Sequence, residues 1–109
     1  MIQSRYIENK TDYNLNVVVK DTHNDKLLDA IILPGHKNFF RIDFDDDQYH
    51  FNHMTKLYVS IKVNGDTFST LFSSYEVDTG IDILFNTYPI ISVYFELEGC
   101  SYYLIGNNP

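Results

Sequence analysis

The chain has 109 residues, 44% of them apolar and 16% aromatic, with nine Tyr, eight Phe and no Trp. That length fits one domain, and that composition is far from a disordered chain's. The net charge of −7 argues against direct nucleic-acid binding, and no apolar run approaches the ~18 residues of a membrane span.

The apolar residues repeat every second position in segment after segment, which predicts strands rather than helices. Ile2 to Ile7 reads as the first strand. Asn9-Lys10-Thr11 then matches a glycosylation acceptor, but Met1 to Tyr6 carries no signal segment, so the match reads as coincidence. Tyr13, Leu15, Val17 and Val19 alternate with Asn14, Asn16 and Lys20 in a half-buried strand. His23 to Lys26 supplies turn chemistry, Leu27 to Leu33 is the next strand, and Pro34-Gly35 turns the chain again. Asn38, Phe40, Ile42 and Phe44 then form an inward face, with Phe39, Arg41 and Asp43 outward.

Leu57, Val59, Ile61 and Val63 run into Asn64-Gly65, a pair suited to both left-handed positions of a type I′ turn. That turn predicts pairing of Val63 with Asp66, Ile61 with Phe68 and Val59 with Thr70, continuing the apolar face through Phe72. Ile81 to Phe85 reads as another strand. Ile91, Val93, Phe95 and Leu97 alternate with Ser92, Tyr94, Glu96 and Glu98; a turn at Glu98-Gly99 sets Phe95 against Tyr102 and Tyr94 against Tyr103. About nine short strands at this spacing predict an all-β, single-domain antiparallel β-sandwich or partly open barrel spanning residues 1–109.

The charge is unevenly spread. Residues 1–62 hold all eight basic side chains against nine acidic ones. Residues 63–109 hold no Lys or Arg, against six acids that include Glu96 and Glu98. A basic partner surface fits that field better than a polyanion or a membrane.

Asp78-Thr79-Gly80 resembles the catalytic triplet of aspartic proteases, whose retroviral-type members are all-β homodimers, and Ile105-Gly106-Asn107 is similar to that family's later Ile-Gly segment. That resemblance implies one Asp from each of two copies sharing a proton. Here, however, the triplet follows Ser73-Ser74-Tyr75-Glu76 rather than an apolar strand, and only 29 residues come after Gly80. The triplet therefore reads as a loop.

Asp43, Asp45 and Asp47 offer carboxylates on a short run, but Gln48 and Met54 stand where an EF-hand needs Gly and Glu. His50 and His53 follow, and with Asp47 they form a candidate zinc set if a loop lets them converge. The one cysteine, Cys100, excludes an internal disulfide and reads as a small buried hydrophobe. No P-loop, nucleotide-binding glycine motif or nucleophile elbow is present.

The leading expectation is a non-enzymatic, cofactor-free cytoplasmic protein that occupies a basic site on another protein. Inhibitors, immunity proteins and viral or phage antagonists are of this kind. Tyr94 and Tyr103 would supply contact area, with Glu96 and Glu98 steering the encounter. Two alternatives belong to other classes. One is a calcium- or zinc-dependent ligand-binding domain using Asp43, Asp45, Asp47, His50 and His53. The other is a structural subunit that forms a homo-oligomer by pairing sheet edges.

Overall fold

A computed structural model describes residues 2–21, 23–43, 55–73 and 80–109. Eight strands and one short helix lie in these segments: β1 (Ile2–Asn9), β2 (Leu15–Lys20), β3 (Lys26–Ile32), β4 (Lys37–Asp43), β5 (Lys56–Val63), β6 (Asp66–Ser73), α1 (Ile81–Thr87), β7 (Ile90–Glu96) and β8 (Ser101–Asn107). They form two packed four-stranded sheets, one ordered β4-β1-β7-β8 and the other β3-β2-β5-β6. The expected β-sandwich is therefore the fold.

Period-two alternation builds the core from both sheets. Leu15, Val17 and Val19 of β2 and Leu57, Val59 and Ile61 of β5 are almost wholly removed from solvent. Ile7, Phe40, Ile42, Ile91 and Val93 face them from the other sheet. The side where β6 and β8 meet is sealed by aromatics. Phe68 and Phe95 lie 5.6 Å apart, Phe95 and Tyr102 lie 4.7 Å apart, and the Tyr102 hydroxyl donates to the Phe68 carbonyl at 2.6 Å.

The Asn64-Gly65 hairpin forms in the expected register, Val63 with Asp66 through Val59 with Thr70. Asn64 and Gly65 adopt φ of 52° and 87°, as a type I′ turn requires. One pairing departs from the antiparallel expectation. β1 runs parallel to β7, Tyr6 opposite Ile90 and Asn9 opposite Val93, so that sheet is mixed. These strands are distant in sequence, so no hairpin geometry dictates their direction.

The expected strand at Ile81–Phe85 is instead the first part of α1. Ile81, Ile83 and Phe85 satisfy a period of two, but Ile81 and Phe85 also stand four apart. The helix buries those two completely and leaves Ile83 65% exposed, so the four-residue spacing prevails. Gly80 enters the helix at φ 49° and its carbonyl accepts from the Leu84 amide at 2.9 Å. The Phe85 ring meets Phe40 edge-on at 5.6 Å. Arg5, only 7% exposed, donates its Nε to the Phe85 carbonyl at 2.6 Å and ties β1 to the helix. Burial draws the Arg5 pKa downward from its ordinary value. Among the described residues no helix is long and apolar enough to cross a membrane.

Candidate functional site

Strand alternation turns one half of each strand's side chains away from the core. On the β4-β1-β7-β8 sheet that outer face carries Phe39 and Arg41 from β4, Tyr6 and Glu8 from β1, Ser92 and Tyr94 from β7, and Tyr103 from β8. β7 and β8 pair as expected, Tyr94 with Tyr103 and Phe95 with Tyr102. The Tyr94 and Tyr103 rings stack at 4.9 Å with only 3° between their planes. Tyr103 is 43% exposed, so the pair presents aromatic surface outward.

The other aromatics of this face already hold cations. Lys37 Nζ lies 5.2 Å from the Tyr6 ring centre, and the Arg41 guanidinium lies 5.7 Å from that of Phe39. Among the described residues no lysine or arginine lies over the Tyr94/Tyr103 pair. Between the two aromatic groups runs a polar bridge. Asn107 Nδ2 donates to Ser92 Oγ at 2.8 Å, and Ser92 Oγ donates to Glu8 Oε1 at 2.8 Å. Ser92 is fully buried, so this bridge holds β8, β7 and β1 in line.

Glu96 ends β7 opposite Ser101, and Glu98 lies in the turn beyond; both are exposed. The turn spans Leu97 to Cys100, four residues rather than the two expected from Glu98-Gly99. The register is unchanged because the wider turn keeps the same centre. The consequence falls on Cys100, which is exposed rather than buried. It sits at φ 50°, and both its amide, at 3.2 Å, and its thiol, at 3.4 Å, donate to the Leu97 carbonyl, so its side chain stays at the turn instead of entering the core.

The structure thus brings Tyr94, Tyr103, Glu96 and Glu98 to one end of one hairpin. It offers no such test of the candidate metal ligands: Asp43 closes β4, and Asp45, Asp47, His50 and His53 lie outside the described residues. Among the described residues no group of three or more His, Cys, Asp or Glu converges. Gly80 of the protease-like triplet starts α1, while Asp78 and Thr79 lie outside the described residues.

Sequence reasoning missed the Tyr6/Phe39 half of the face and the Glu8–Ser92–Asn107 bridge. The parity of each strand was readable, but the adjacency of β1 and β7 was not. It also left Arg5 and Asn9 unremarked as buried polar anchors. The one available signal for Asn9 was its place in Asn-Lys-Thr just after a strand. No protein-family model, curated protein or solved structure matches this chain.

Proposed function

We propose that this protein is a non-enzymatic cytoplasmic binding module that covers a basic site on another protein with the outer face of its β7–β8 hairpin. The observation that carries the reading is the stacked Tyr94/Tyr103 pair, flanked by two exposed carboxylates and free of any cation among the described residues. A guanidinium suits such a site, because it stacks flat on a ring while its edge donates to a carboxylate. A partner arginine over the pair would contribute about 1–2 kcal/mol as it is desolvated. Glu96 and Glu98 would mainly raise the association rate, and salt would screen that effect. The single cysteine, exposed and free, fits a reducing compartment.

The test is capture from a lysate of the source cell, comparing the natural chain with Glu96→Lys/Glu98→Lys and Tyr103→Ala at low and high salt. The reading expects a near-stoichiometric basic protein that salt releases and that both variants lose. A captured set identical for all three baits refutes the surface. A purified chain that self-associates with rising concentration, and captures nothing, favours edge-paired assembly instead.

A further inference from the structure

The outer face of the other sheet has a different character. β2 sends Val17 and Val19 into the core and Val18 and Lys20 outward. The registers align Val18 with Tyr58 and Tyr58 with Leu71 across three adjacent strands. In the next row Lys26 pairs with Lys20, and Lys20 with Lys56. Three lysines therefore stand side by side on neighbouring strands.

Directly opposed side chains have Cβ atoms about 4.5–5.5 Å apart, where like charges destabilise the pairing. The chain has fifteen acidic residues for eight basic ones, so carboxylates are plentiful. Yet Lys26 alone of the three has a carboxylate, Asp29 at 3.0 Å, among the described residues. Lys20 and Lys56 have no ion-pair partner there. The turn that joins Lys20 to Lys26 also carries Asp25 and the buried Asp21, so what sets this row apart on a protein of net charge −7 is three neighbouring ammoniums, two of them without an ion-pair partner among the described residues.

The lysine row borders a half-open groove of about 410 Å³ whose remaining lining is Val18, Tyr58 and Leu71. Tyr58 is 39% and Leu71 49% exposed, so the groove offers apolar surface to an occupant. The volume lies within the ~300–1,000 Å³ range of small-molecule sites. One charged end and one apolar floor match a small amphipathic anion. The three ammoniums suit a phosphate monoester, which carries about −1.5 to −2 at neutral pH. Lysine ammoniums serve as point charges for a compact oxyanion without demanding a planar, two-pronged geometry. A nucleic acid or an anionic membrane fits less well, because the positive charge is confined to one row and the rest of the chain repels a polyanion.

We infer that this groove is a binding site for a small aryl or alkyl phosphate monoester, with Lys20, Lys26 and Lys56 holding the phosphate and Val18, Tyr58 and Leu71 contacting the apolar body. Phenyl phosphate is the probe, titrated into isotope-labelled protein and followed through backbone amide shifts. Inorganic phosphate supplies the head alone and phenol the body alone. The assignment expects saturable shifts centred on residues 18, 20, 56, 58 and 71. It also expects phenyl phosphate to bind about tenfold tighter than inorganic phosphate. Lys20→Gln/Lys56→Gln should weaken phenyl phosphate about tenfold or more while leaving the remaining spectrum in place. Leu71→Ser should bring phenyl phosphate down toward inorganic phosphate. Shifts that do not saturate by ~10 mM, or that scatter over the surface, overturn the site. Indifference to the double lysine variant overturns it too. Binding to phosphatidylglycerol vesicles without binding to phenyl phosphate would replace the small ligand with a lipid surface.

Discussion

Replacing Asn9 by alanine removes a buried polar side chain that makes four hydrogen bonds. Asn9 is fully buried where β1 ends. Its Nδ2 donates to the Tyr13 carbonyl at 2.6 Å and the Ile32 carbonyl at 2.8 Å. Its Oδ1 accepts from the Thr11 amide at 2.9 Å and the Thr11 hydroxyl at 2.7 Å. One side chain thus joins a strand of one sheet, the bend after it and the end of β3 in the other sheet. Alanine leaves the Ile32 carbonyl and the Thr11 amide without these partners, whereas the Tyr13 carbonyl keeps the Thr11 hydroxyl at 3.0 Å. Two stranded buried groups, at ~1–3 kcal/mol each, put the cost of Asn9→Ala at about 3 kcal/mol. That is a large share of the ~5–15 kcal/mol typical of a whole domain. Urea unfolding followed by circular dichroism measures it, with Thr11→Val as the companion variant. The two substitutions should couple by about 1 kcal/mol, since they share one network. A loss below ~1 kcal/mol for Asn9→Ala would refute the reasoning, by showing that water or neighbouring groups replace the amide at little cost. In the folded chain this Asn-x-Thr has both Nδ2 hydrogens of its Asn donated inside the protein.

Other expectations follow from single contacts. Burial pushes the Tyr102 phenol up to about 12, while an unfolded tyrosine titrates near ~10. The unfolded chain therefore loses this proton first, and stability falls as pH rises from about 10 through 12. Urea titrations across that window should show a shallower fall in Tyr102→Phe, and an unchanged slope would remove Tyr102 as its source. At Gly106 an added Cβ would collide with the Tyr88 ring, so Gly106→Ala must displace that ring. The expected cost is about 1–3 kcal/mol, with much of it absent when Tyr88 is also truncated; simple additivity of the two would contradict the clash. If Asp45 and Asp47 hold a metal, calcium or zinc should raise the melting temperature of the natural chain but not of Asp45→Asn/Asp47→Asn. Equal melting curves with and without metal would discard that alternative.

What the sequence determined by itself was local. Alternation fixed which residues of β2, β4, β5 and β7 face the core, because a strand has only two faces and one must be dry. Asn64-Gly65 fixed one hairpin register, because a two-residue turn admits only one. The Tyr94/Tyr103 pairing was legible for a related reason: moving from a two- to a four-residue turn about one centre preserves every partner. At Ile81–Phe85 alternation and four-residue spacing coexist, and only packing against Phe40 and Arg5 selects the helix. The exposed Cys100, the parallel β1–β7 pair and the aromatic half-face at Tyr6 and Phe39 likewise belonged to the tertiary structure. So did the lysine row, since Lys26, Lys20 and Lys56 lie on three strands whose order no local pattern encodes. Local geometry sets a strand's faces and its turns. Which strands lie side by side is set by how two sheets together bury one core, and both proposed binding surfaces come from that arrangement.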